Sequence, residues 1–204
     1  MSERVPLAGA LGALKRFASG AMPAEESCEL CAVRVGAAHA HLVEPETRRI
    51  LCACEPCALA FNARTDGRYR QVPRDVRALP PDAISNAHWD ALGLPVHLVF
   101  FVRSTPAGRV VAQYPSPAGA MESSLPLAGW SAIEEASAEV REMRPDVEAL
   151  LVYRVRDQRV HLIAPIDECY RLVGLLRARR GHVSTAGADG EVAEFLAALE
   201  RRAS

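Results

Sequence analysis

From residue 96 onward the apolar positions of this chain switch between two periods, and the switches predict its elements. Val96–Arg103 is an almost unbroken apolar run of strand length, and Thr105-Pro106-Ala107-Gly108 is a turn signal. Arg109–Tyr114 predicts a second strand. The Pro115–Gly119 stretch reads as a loop. A helix of about 17 residues follows, with Trp130, Ile133, Ala136, Val140 and Met143 at helical spacing. The plan then repeats. Glu148–Arg156 and Arg159–Ala164 predict a hairpin around Asp157-Gln158, and Pro165 opens a helix with Ile166, Cys169, Tyr170, Val173 and Leu176 on its apolar face. A final helix buries Val192, Phe195, Leu196 and Leu199. The expected fold class is α+β: an antiparallel sheet with helices on one face, preceded by a small cysteine module of treble-clef or zinc-ribbon type.

Upstream the pattern is weaker. Residues 6–18 predict a short amphipathic helix with Leu7, Leu11, Leu14 and Phe17 or Ala18 on one face, followed by a linker. Residues 62–95 are polar and punctuated by Pro73, Pro80, Pro81 and Pro95, with one short helix expected near Ser85–Leu92 and Ser85 as its N-cap. The expected organisation is therefore 1–26 N-terminal helix and linker, 27–61 cysteine module, 62–95 connection and 96–204 α+β domain.

Composition narrows the function classes. The net charge of -1 gives no electrostatic footprint for nucleic acid or anionic membrane. No apolar run is long enough to span a bilayer. Lys15 and Arg16 interrupt the mildly apolar start, which lacks the order of a secretory signal. The expected compartment is the cytoplasm, where clustered thiols serve metal or redox chemistry rather than disulfides.

The chemistry lies in residues 28–57, which hold five of the six cysteines. Cys28-Glu-Leu-Cys31 and Cys54-Glu-Pro-Cys57 are two C-x2-C turns, a spacing that lets paired thiolates converge on one ion. The expected ligands are Cys28, Cys31, Cys54 and Cys57 around one Zn2+, with iron or an iron–sulfur cluster as the alternative. Cys52, His39 and His41 are alternates, because C-x-C and H-x-H pairs in extended chain point to one side. Rubredoxin-like iron sites share the proline of the second turn. The glycines that usually follow such turns are replaced by Ala32 and Ala58. Cys169 reads as a small core residue. Asp167 and Glu168 read as first-turn helix acids, and Asp146 and Glu148 belong to no evident catalytic set. Tyr114, Ser116 and Glu122, in the segment Tyr114–Ser124, are candidates for partner contact.

Residues 28–62 resemble the zinc scaffold of treble-clef nucleases of the His-Asn-His type. No aspartate precedes the histidine pair, and the helix after Cys57 carries no histidine. Taken whole, the chain resembles an uncharacterised bacterial family of unknown function whose genes often lie near those for nickel–iron hydrogenases. The matching stretches are Cys-Glu-Leu-Cys (28–31), His-Ala-His-Leu (39–42), Leu-Cys-Ala-Cys-x-x-Cys-Ala-Leu (51–59), Tyr-Pro-Ser-Pro-Ala-Gly (114–119), Asp-Val-Glu-Ala-Leu-Leu-Val (146–152) and Pro-Ile-Asp-x-Cys-Tyr-Arg-Leu-Val-Gly-Leu (165–175). The resemblance implies an accessory protein working through protein contact, with a hydrogenase subunit or maturation factor as partner. An electron-transfer protein is the second expectation, and a nucleic-acid protein a distant third.

Overall fold

A computed structural model describes residues 26–62, 67–116, 118–178 and 185–203. The expected helix at 6–18 lies outside them. Two antiparallel sheets organise the described residues. In the first, β1 (Ala40–Glu44) lies between β2 (Arg49–Ala53) and β3 (Arg70–Gln71). The second has six strands: β4 (Arg77–Ala78), β5 (Leu98–Ser104), β6 (Arg109–Ser116), β7 (Gly119–Glu122), β8 (Glu148–Val155) and β9 (Gln158–Pro165). Their spatial order is β4-β9-β8-β5-β6-β7, so the two long hairpins meet along β5 and β8.

Among the described residues six helices flank the sheets: α1 (Glu55–Asn62), α2 (Asn86–Ala91), α3 (Trp130–Ala136), α4 (Ala138–Arg141), α5 (Ile166–Ala178) and α6 (Thr185–Glu200). Helix α1 packs on the small sheet, and the others cover both faces of the large sheet, not the single face expected. Phe100, Val102, Leu151 and Leu162 pack with Leu172, Val173, Phe195 and Leu196 of α5 and α6. Their neighbours along the strands, Val99, Phe101, Leu150 and Ile163, pack with Trp130, Ile133, Val140 and Met143 on the other side. The reason is visible in the strands themselves. A run apolar at successive positions presents apolar groups to both faces, and each face must be covered.

Two further expectations are corrected. The single long helix is two short ones, because Ser137 is extended (φ -133°, ψ 117°). Its hydroxyl accepts the Val140 N–H at 3.4 Å and so caps α4. The Pro115–Gly119 stretch is not only a loop: β6 runs on to Ser116 and turns back as β7, pairing Ser116 with Gly119 and Tyr114 with Met121. Gly119 adopts φ 128°, a conformation that only glycine enters freely. The cap on α2 is as expected, with Ser85 accepting the His88 N–H at 3.1 Å.

The segment between the sheets is part of the packing. β3 pairs with β1, and β4 pairs with β9. Val72 and Val76 enter the α5/α6 core together with Val43 of β1, whereas Leu79, Ile84, Leu92 and Leu94 enter the opposite one. Glu148 anchors this region. Its side chain is 1% exposed and accepts from Arg77 at 2.9 Å, Arg144 Nη2 at 2.8 Å and the Arg144 amide at 2.6 Å. Glu148→Ala is expected to lower unfolding free energy by about 3 kcal/mol, because it strips the arginines of their buried counter-charge. Removing the exposed Glu55, 3.9 Å from Arg74, should change little in the same denaturant titration.

His161 is buried on β9, with Nδ1 3.3 Å from the Pro80 carbonyl. Burial lowers its pKa below the usual 6.5. The unfolded chain therefore binds the extra proton first, so this contribution to stability is complete above pH 6.5 and declines as pH falls below it. His161→Gln is expected to flatten that part of the pH–stability profile.

Candidate metal centre

The first C-x2-C turn is closed by backbone bonds. The Cys28 N–H donates to Val33 O and the Ala32 N–H to Cys28 O, both at 2.8 Å. Ala32 pays for this tight return with φ 62°, a conformation costing a non-glycine residue about 1–2 kcal/mol. The second turn opens α1. The Cys54 carbonyl accepts the Ala58 N–H at 2.9 Å, and Cys57 lies in the first helical turn. Pro56 is tolerated there because first-turn N–H groups have no partner within the helix. The positive end of the helix thus faces the sulfurs.

Glu29, inside the first turn, ties it to β2. Its N–H donates to Cys52 O at 2.9 Å, and its carboxylate accepts the Cys52 N–H at 2.8 Å and Arg49 at 2.5 Å. Burial alone would raise the Glu29 pKa, but the Cys52 amide and Arg49 outweigh it and hold the group low.

The result is a cluster of four thiols. The sulfurs of Cys28, Cys31, Cys54 and Cys57 all lie within 4.8 Å of one another, with Cys31 and Cys54 3.6 Å apart. A tetrahedral ion with sulfur at about 2.3 Å requires sulfur–sulfur edges of about 3.8 Å, so this donor set fits such an ion. All six cysteines are free thiols. Burial pushes the Cys28 thiol up, but hydrogen bonds from the Cys54, Leu30 and Cys31 amides prevail and bring it to about 6. Hydrogen bonds with the Cys54 and Cys31 sulfurs, then burial, push Cys57 up to about 12. The Val33 amide lowers Cys31, yet its bonds with the Cys28 and Cys54 thiols leave it raised. Without a cation, adjacent sulfurs resist becoming thiolates together.

The alternates fall elsewhere. Cys52 pairs with His41 across the β1–β2 hairpin, and both lie within 4.8 Å of His39 in a separate group. The His41 ring donates from Nδ1 to Asp167 at the start of α5, at 2.6 Å. That hydrogen bond raises the His41 pKa against the opposing effect of burial. Sequence patterning identifies Asp167 only as a first-turn acid. Its partner lies 126 residues away, and nothing local signals the contact. The other acids are occupied: Asp146 accepts from the Thr105 amide and pairs with Arg70 at 3.2 Å, and Glu168 pairs with Arg171 at 2.9 Å and with Arg202. Cys169 is fully buried. Tyr114, Ser116 and Glu122 lie on the β6–β7 hairpin. There Glu122 pairs with Arg48 at 2.7 Å and Arg109 at 2.8 Å, and Ser116 Oγ accepts the Ala118 N–H.

A family model described as "family of unknown function (DUF5947)" matches residues 27–203, from the first cysteine turn to the end of the last helix. The chain belongs to DUF5947. No curated protein and no solved structure matches it. The DUF5947 match takes in the whole four-cysteine cluster and the Asp167 helix, so cluster and sheet domain belong to one family unit. Among the described residues no helix is long and apolar enough to cross a membrane.

Metal uptake must displace thiol protons. At pH 7, Cys31 and Cys57 are both expected to lose a proton to the entering ion, while Cys28 is already largely ionised. Isothermal titration of metal-free protein in buffers of different ionisation enthalpy should therefore report proton release. Apparent affinity should rise as pH is raised from 6 to 8.

Proposed function

We propose that this protein is a zinc-binding accessory or assembly protein, acting in the cytoplasm through protein–protein contact. The single observation carrying this reading is the convergence of four thiols at tetrahedral spacing. A closed all-thiolate site suits a structural ion, since every coordination position is taken by protein. The order of cysteine turn, hairpin and helix opening on the second turn supports a treble-clef reading of residues 27–61. Zinc would then hold in shape a segment whose own core cluster is built around Cys28, Ala40, Leu42, Ala53 and Ala58.

Partner contact is supported by large apolar side chains left in solvent. Val33 on the first turn is 51% exposed and Leu59 on α1 is 59% exposed. Met121, 44% exposed, lies on the edge strand β7 beside Tyr114, Ser116 and Glu122, a second patch proposed for the same role. The resemblance in the cysteine turns and in residues 114–119 and 165–175 points to a nickel–iron hydrogenase subunit or maturation factor as the partner. A redox role would call for an easily ionised Cys52, but burial, with Glu26 and Glu29 nearby, pushes that thiol up.

Purified protein should be colourless and hold a tightly bound zinc that Cys54→Ser or Cys57→Ser removes. A red, visibly absorbing protein would replace zinc with iron. Stripping with a strong chelator should release hydrogen-exchange protection in residues 27–61 while β5, β8 and β9 stay protected, and hydrogenase-partner binding should be lost in the same step. Loss of protection throughout would show that the cysteine module and the sheet domain unfold as one unit.

A further inference from the structure

We infer that His39, His41 and Cys52 form a second metal site, distinct from the four-cysteine cluster, with one coordination position open to a cleft. The three side chains bring their ligand atoms within 4.8 Å of one another. The two imidazoles meet at Nε2, 3.1 Å apart, with rings edge-on at 85°. Two nitrogens bound at about 2.0–2.1 Å to one tetrahedral ion stand about 3.3 Å apart, so the rings already have the spacing of a shared ion.

The outer hydrogen bonds point the same way. His39 Nδ1 lies 2.8 Å from the Gly36 carbonyl, and His41 Nδ1 lies 2.6 Å from the Asp167 carboxylate. Both oxygens can only accept, so both Nδ1 atoms carry hydrogen and the Nε2 lone pairs are turned inward at each other. Two such nitrogens 3.1 Å apart are held together either by one shared proton or by a cation bound to both. A carboxylate or carbonyl behind each imidazole is also the arrangement that orients metal-binding histidines. The His39 side chain is only 7% exposed and meets solvent through the cleft that it borders. The hairpin register keeps the third ligand in place, since Cys52 is directly opposite His41 and both its backbone groups are held by Glu29.

His39 and His41 line a cleft of about 450 Å3 between the hairpin and the start of α5, whose wall also carries Arg74, Asp167 and Glu168, the last paired with Arg171 and Arg202. Two histidines and a thiolate suit a borderline-soft divalent transition ion of the zinc class. With His39 and His41 facing the cavity and Cys52 behind them, the cleft leaves room for an exchangeable fourth ligand such as water. The site uses none of the four clustered cysteines, so it stands or falls separately from the structural zinc.

The test is titration of stripped, reduced full-length protein with Zn2+ and with Co2+, followed by elemental analysis and visible absorption. Wild type should take up a second, more weakly held ion. His39→Gln/His41→Gln should lose that ion while keeping the cobalt spectrum of the four-cysteine site, which also reports that the module is folded. Cys52→Ser should retain the second Co2+ with reduced affinity and lose its sulfur-to-metal absorption. Asp167→Asn, which touches no ion, should weaken the second site alone by about 10–100-fold. Uptake of a single ion that Cys57→Ser abolishes and the histidine variant leaves unchanged would overturn the second site and leave the first standing. A single ion kept in Cys57→Ser but lost in the histidine variant would support the second site and overturn the first. No uptake at all would overturn both.

Discussion

The central strands β5 and β8 are apolar on both faces, and the rest of the architecture follows from covering them. Val99 through Val102 and Ala149 through Val152 are all buried, so neither side of the sheet can face water. Helices α5 and α6 close one side, while α3, α4 and the segment through Ile84 and Leu92 close the other. Each apolar side chain so buried contributes about 1.5–3 kcal/mol. That demand explains why a proline-rich stretch with little regular structure is drawn into the core at Val72, Val76 and Leu79.

The cysteine module is bound to this body by polar contacts as well as by Val43. His41 reaches Asp167, Arg48 reaches Glu122 and Arg70 reaches Asp146. Its own core is small, five buried residues of which the largest is Leu42. A segment of that size gains little from apolar burial, and an ion held by the four thiolates would supply the missing cohesion. The thiol hydrogen bonds are the counterpart of this in the absence of a cation: Cys28 ionises readily while Cys31 and Cys57 are pushed the other way.

The hairpin separates two sets of chemistry that are interleaved in sequence. Cys52 and Cys54 are two residues apart, yet they belong to different clusters. Period-two alternation would place both thiols on one side only if the strand continued through Cys54. Strand β2 ends at Ala53, and the chain turns into α1 with Cys54 at the bend. The thiol at position 54 is thereby swung toward the first cysteine turn, while Cys52 stays on the hairpin face that carries His41.

What was legible in the residues was local. The paired C-x2-C turns, the two long hairpins, the Ser85 cap and the amphipathic faces of α5 and α6 all rest on short-range spacing, which backbone geometry translates directly into shape. The break at Ser137 was written locally too, but helical periodicity on both sides of it masked the serine cap. Two-sided burial was present in the unbroken apolar runs, though such runs do not say which helices will cover which face. The pairing of His41 with Asp167 and of Glu148 with Arg77 had no sequence signature. These contacts join elements 126 and 71 residues apart, and charged groups at such separations are brought together only by how the sheets and helices pack.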